Sequence, residues 1–170
     1  MKLSSQIWLA CLVPGTVFAL VGIDVNMYDP TCAWACRSAI SSNMLSCSDH
    51  HASGGHMDMH MDMTSPQCRA GDTAFLTTLA YCMSSKCAQY QIALSRLEKY
   101  WEEQCTGDPT VPPKWSYGAA LQHVTEIPTR QLGKEDDLNF TAVVSEPAWR
   151  AQYGTDMAFE ADERTGARYG

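Results

Sequence analysis

The sequence lacks the features of several large functional classes. Its 170 residues include 12 lysines and arginines against 19 aspartates and glutamates, a formal charge of −7, so there is no basic excess to hold a nucleic acid. No glycine-rich phosphate-binding loop is present, and the longest apolar run is too short and too interrupted for a transmembrane helix. Hydrophobic residues make up 45% and charged residues 18%, a composition typical of folded proteins. We therefore expect one folded domain with no nucleic-acid partner and no transmembrane helix.

The first 19 residues have the three parts of a secretory signal peptide. Met1 and Lys2 give a positive start, residues 7–13 are wholly apolar, and Ala19 completes a small-residue cleavage pattern. The alternative is a buried N-terminal helix. The signal-peptide pattern predicts a protein that is secreted or lies on the extracellular face of the plasma membrane. A sequon at Asn139, followed by Phe140 and Thr141, agrees with this route and predicts a glycoprotein.

Apolar residues recur at three- and four-residue steps, which predicts a mainly α fold: a small disulfide-stabilised bundle of three to four short helices. We expect this helical ectodomain to span residues 20–155, with a loose tail or juxtamembrane stalk over 156–170. The first helix starts at Thr31 and carries Cys32, Cys36 and Cys47 on one face.

Five further stretches complete the predicted domain. Asp72 caps the second helix, and the third covers about residues 90–104 with Leu94, Leu97 and Trp101 turned inward. Residues 138–144 form a strand or an extended arm. Two short helices follow cap residues, one after Ser116 and one after Ser145.

Eight cysteines in a chain of this size indicate an oxidising compartment or a metal site. Removal of Cys11 with the signal peptide leaves seven, so one thiol is free or paired outside the chain. Two helical cysteine pairs can be bridged outer to outer and inner to inner, which is one of fifteen pairings: Cys32–Cys87, Cys36–Cys82 and Cys47–Cys68, leaving Cys105. A structural zinc site is the alternative, but the spacings are too wide for zinc knuckles.

Residues 48–66 lose all apolar periodicity and contain a run of possible metal ligands. Alternation in an extended chain places methionines on one side and histidines with aspartates on the other. Thioethers suit Cu(I), whereas imidazole and carboxylate groups suit Cu(II) or iron. A solvated linker without ligands is the alternative interpretation. The candidate metal ligands are His50, His51, His56, Met57, Met59, His60, Met61 and Met63.

Several blocks, taken in order, resemble a known family. Residues 27–37 read Met-Tyr-Asp-Pro-Thr-Cys-Ala-Trp-Ala-Cys-Arg, and related blocks follow at 45–48, 65–68, 74–82, 97–101 and 113–117. Together with the closing Arg168-Tyr169-Gly170, they resemble the extracellular N-terminal region of fungal plasma-membrane ferric reductases. The resemblance covers nearly everything after the signal peptide.

This resemblance implies a role in extracellular iron and copper acquisition, beside the membrane part of a ferric reductase. In the full-length family, haem, FAD and NADPH carry electrons to iron, and the regions that hold them have no counterpart here. We therefore expect capture of copper or iron ions without enzymatic activity in this chain alone. A fragment, a truncated product and a secreted solo domain all fit that expectation.

A second, partial resemblance is to the fungal eight-cysteine CFEM domain. The order of cysteines from Pro30-Thr31-Cys32 to Cys105 follows that family, although one Cys-x-Cys pair is replaced by the His/Met-rich segment. The alternative function is therefore a secreted CFEM-like module that binds haem or associates with the cell wall. A secreted structural or effector protein without a ligand is a third interpretation.

Overall fold

The computed structural model describes residues 28–48, 64–133 and 136–166, with side chains as far as Ala161. Helices dominate these residues: α1 Thr31–Ala39, α2 Pro66–Gly71, α3 Thr73–Cys87, α4 Leu94–Gln104, α5 Tyr117–Gln122 and α6 Glu146–Gly166. A 3₁₀ turn, Ala88–Tyr90, follows α3, and β1 Arg130–Gln131 pairs in parallel with β2 Ala142–Val143. The predicted mainly α, disulfide-stabilised fold is confirmed.

The central helix α3 is enclosed by its neighbours. Asp72 caps it by accepting a hydrogen bond from the Phe75 amide at 2.8 Å, as its position before an apolar run predicts. Leu76, Leu79 and Met83 are completely buried. Because apolar residues occupy more than one face, α3 is covered by several elements, as expected for a core helix.

Helix α1 lies between α3 and α6. Ala33 and Ala35 are fully buried, and such small side chains allow the neighbouring helices to approach closely. Two disulfides join α1 to α3, and the indole Nε1 of Trp149 on α6 donates to the carbonyl oxygen of Cys32 at 3.2 Å. These contacts make α1 the helix that ties α3 to α6.

Helix α4 is amphipathic and packs through Leu97, Tyr100 and Trp101. The Trp101 indole is fully buried, and its Nε1 donates to the carbonyl oxygen of Trp115 at 2.8 Å. The predicted inward position of Leu94 is wrong: this side chain is 60% exposed, because it begins α4 beyond the edge of the core.

Two predicted helix boundaries also need correction. The first helix ends at Ala39, and Cys47 lies beyond it, because residues 41–43, Ser-Ser-Asn, favour turns over helix. The last helix does not give way to a loose tail at Asp156 but continues to Gly166. Asp156 and Glu160 are only 5% and 6% exposed, so acidic residues that suggested a solvated tail lie on the buried face of α6.

Among the helices of the described segments, none is both long enough and apolar enough to cross a membrane.

Candidate functional site

The residues on either side of the predicted metal-binding segment meet in the folded domain. Ser48 and Thr64 flank residues 49–63, and their hydroxyl oxygens lie 2.8 Å apart in a buried hydrogen bond. The Cys47–Cys68 disulfide closes the same junction from outside. The two ends of the chain that flank these 15 residues therefore lie side by side in the domain.

Side-chain hydrogen bonds fix both arms of this junction, the first to the cap of α3 and the second to the start of α2. On the first arm, Ser46 donates to Asp72 Oδ2 at 2.9 Å, and the same carboxylate caps α3. On the second arm, Ser65 caps α2 by accepting from the Cys68 amide at 3.1 Å. Serine and aspartate are the residue types that cap helices and close turns, so the local sequence accounts for a firm junction.

The predicted ligands themselves lie outside the described residues: His50, His51, His56, Met57, Met59, His60, Met61 and Met63. Within residues 28–48, 64–133 and 136–166, no three His, Cys, Asp or Glu side chains are grouped as metal ligands would be. The metal site therefore stays a prediction, and what the structure describes is the junction that carries the segment.

The cysteines pair as predicted: Cys32–Cys87 and Cys36–Cys82 join two helices, and Cys47–Cys68 closes the loop between them. Cys105 is free and fully buried. Burial raises the pKa of the Cys105 thiol to about 12, although the nearby guanidinium groups of Arg37 and Arg69 act in the opposite direction. The thiol is therefore neutral at physiological pH and has no access to a partner chain.

The predicted glycosylation residue Asn139 is exposed. Its Oδ1 accepts hydrogen bonds from the backbone amide of Thr141 at 3.1 Å and from the Thr141 hydroxyl at 2.9 Å. Oδ1 also receives a long hydrogen bond from Arg130 Nε at 3.4 Å. The acceptor side of the amide is thus occupied while the side chain is open to solvent, and the glycan itself stays a prediction.

The structure shows two charged features that the sequence does not predict: a buried carboxyl group and a pair of neighbouring arginines. On α6, Asp156 Oδ2 is buried and has no hydrogen-bond partner among the described residues. Burial, with a smaller contribution from Glu160, raises the pKa of this carboxyl to about 6. The second is a pair of arginines, Arg37 and Arg69, at the end of α4. No local sequence pattern indicates that Asp156 is buried or that the two arginines meet.

Comparison with known proteins leaves these features as the basis for interpretation. No family model matches the chain, and no curated protein and no solved structure matches it. The relationship to ferric reductases or to CFEM domains therefore stays a prediction.

Proposed function

We propose that this protein is an exported, disulfide-stabilised domain that captures copper or iron ions outside the cell through its His/Met-rich segment. The supporting observation is the junction formed by Ser48, Thr64 and the Cys47–Cys68 bridge. It turns the ligand-bearing segment into a loop whose two ends are fixed.

Fixed ends favour metal capture for an entropic reason. Gathering ligands that are spread along a chain costs conformational entropy, and a cross-link removes part of that cost in advance. The Cys47–Cys68 closure spans 21 residues in sequence, and all eight candidate ligands lie within it. Several thioether and imidazole groups are thereby held at a high local concentration around one ion.

The export part of the proposal rests on the signal-peptide pattern and on three disulfides, which form and persist in oxidising compartments. The resemblance to ferric reductases supplies the proposed partner, namely the membrane part of such a reductase, which holds haem, FAD and the NADPH site. This domain then concentrates metal ions beside the reductase and transfers no electrons itself.

The test uses the purified exported chain in a Cu(I) competition titration against a coloured chelator. Replacing Met57, Met59, Met61 and Met63 by leucine keeps apolar volume but removes the thioethers, so we expect at least a tenfold weaker Cu(I) affinity. Met157→Leu is the matched control, because Met157 is an exposed methionine on α6 outside the segment. Equal affinities of the fourfold variant and the control contradict the proposal.

A second variant tests the closed loop separately from the ligands. Cys47→Ser with Cys68→Ser leaves every candidate ligand in place, and we expect it to weaken metal binding while the helical circular dichroism persists. Unchanged affinity in the folded variant means that closure has no part in capture.

Haem titration of the same preparation addresses the CFEM-like alternative. A saturable one-to-one Soret shift that survives the methionine replacements favours a haem-binding module over metal capture. Under our proposal we expect no such shift.

A further inference from the structure

Two guanidinium groups from different helices meet at the turn that ends α4. Arg37, in the last turn of α1, donates from Nε to the carbonyl oxygen of Cys105 at 3.2 Å. Arg69, in the last turn of α2, donates from Nη1 to the carbonyl oxygen of Thr106 at 2.9 Å. Gly107 closes the turn with φ of 88°, and a Cβ at this position would collide with Arg37 Nη2 and lie 3.2 Å from Arg69 Nη1. The glycine therefore makes room for both cations.

This pair differs from the other arginines whose side chains are described. Arg96 is paired with Asp29, Arg130 with Asp136 at 3.0 Å, and Arg150 with Glu146 at 2.6 Å. Across the described segments, no carboxylate lies within ion-pair distance of either guanidinium of the Arg37–Arg69 pair. In a chain of charge −7, two neighbouring cations without a carboxylate form a local positive site.

The electrostatics of the pair are unfavourable without a further anion. Arg69 is partly buried, and its pKa is lowered first by that burial and then by the positive charge of Arg37. The two carbonyl oxygens at the end of α4 offset part of this repulsion, as cations at a helix C-terminus do. However, each guanidinium has five N–H donors, and its bonds to these carbonyls among the described residues engage one of them.

The acidic residue that directly follows Gly107 in the chain does not complete the site. Asp108 Oδ1 accepts from the amide of Thr110 at 2.8 Å and from its hydroxyl at 2.7 Å, and these bonds lower the pKa of the Asp108 carboxyl. The carboxylate is thus committed to its own turn, and the positive charge of the arginine pair is left for an external group.

We propose that Arg37 and Arg69, which meet beside the turn at Gly107, bind a tetrahedral oxyanion, a phosphate or sulfate group. The planar fork of a guanidinium fits two oxygens of such a group, and two forks from different helices match a doubly charged anion. This site is independent of the proposed metal capture, since none of the candidate metal ligands takes part in it.

Inorganic phosphate is the probe, titrated into the full exported chain at constant ionic strength with chloride as the balancing anion. We expect saturable heat in calorimetry together with a rise in the midpoint of thermal unfolding. Arg37→Gln and Arg69→Gln should each raise the half-saturation concentration of phosphate at least tenfold. Arg96→Gln, which removes a surface arginine outside the pair, should change it less than twofold. Absence of saturable binding by the unmodified chain, or equal binding by Arg69→Gln, overturns the proposal.

The glutamine variants also disturb the end of α4, so a conservative variant separates binding from folding. Arg69→Lys keeps the charge and a donor for the Thr106 carbonyl but loses the fork. We expect unchanged unfolding without phosphate and a several-fold weaker response to it. If the arginines only stabilise the helix end, Arg69→Lys responds to phosphate as the unmodified chain does.

Sulfate and the monoester glycerol 2-phosphate distinguish the source of the anion. Stronger binding of the monoester identifies a phosphoryl group on a larger ligand, and stronger binding of phosphate or sulfate identifies the free anion.

Discussion

The Cys105 side chain illustrates how burial alone decides the chemistry of a residue. Its thiol is 0% exposed, and burial raises its pKa to about 12, so it remains protonated and shielded. The backbone around it is tied down by Arg37, which donates to the Cys105 carbonyl oxygen. The odd cysteine is therefore a packing residue at the end of α4 and not a reactive group.

We predict that a thiol reagent such as DTNB does not react with the native exported chain at pH 8 and labels one cysteine after denaturation. The reason is that reaction requires an accessible thiolate, and the native fold provides neither access nor charge. Absorbance of the released chromophore gives the count. Cys105→Ala, which should label in neither state, is the control, and rapid labelling of the native protein contradicts the prediction.

At the scale of elements, α6 carries an acidic group on the face that it packs against the domain. Asp156 is 5% exposed, and its neighbours in charge are Glu160 one turn further along α6 and Tyr100 on α4. The same burial raises the pKa of the Tyr100 phenol, so that group stays neutral. Deprotonation of Asp156 thus places a charge on a buried carboxylate whose Oδ2 has no hydrogen-bond partner within the described part of the chain.

We predict that α6 makes the fold less stable as the pH rises from about 4 to 7. The pKa of Asp156 is about 6 in the folded state against its ordinary value of 3.8, so the folded chain binds more protons in this range. The contribution of protonated Asp156 to folding stability is fully present below pH 3.8 and is lost as the pH rises through about 6. In Asp156→Asn, urea unfolding midpoints should depend less on pH over this window.

Asp108→Asn is the control of opposite sign. Hydrogen bonds from Thr110 lower the pKa of the Asp108 carboxyl, so its contribution is present above the unfolded pKa and is lost as the pH falls. The Asp156 prediction fails if Asp156→Asn keeps the full pH dependence of the unmodified protein.

The sequence predicts the features that depend on residues close together in the chain, and it does not predict those that depend on tertiary packing. The caps Asp72 and Ser116 each accept a hydrogen bond from an amide three residues away, and the sequence predicts both. Asp156 and Glu160 are buried on a helix that packs against α1, which no local pattern indicates, so the sequence predicts a tail from Asp156 onward. The arginine pair was missed for the same reason, since Arg37 and Arg69 meet only through the fold.

For the molecule as a whole, two nested disulfides hold the same two helices together. Cys32–Cys87 spans 55 residues and Cys36–Cys82 spans 46, both between α1 and α3. Their pairing was predictable because cysteines about one helical turn apart share a face, and antiparallel neighbours then align in order. The Ser48–Thr64 contact was not predictable, since it depends on where the whole chain returns to α3.

Nesting leads to a prediction about how the two bridges combine. While one bridge is intact, the other closes only a ring of about ten residues, so its removal alone should cost about 2–3 kcal/mol of unfolding free energy. Removing both opens the long loop as well and should cost about 7 kcal/mol, more than the sum of the single losses. Urea unfolding of Cys32→Ala/Cys87→Ala, Cys36→Ala/Cys82→Ala and the fourfold variant completes the cycle. A folded fourfold variant whose loss equals that sum shows that the bridges act independently, contrary to the nested arrangement.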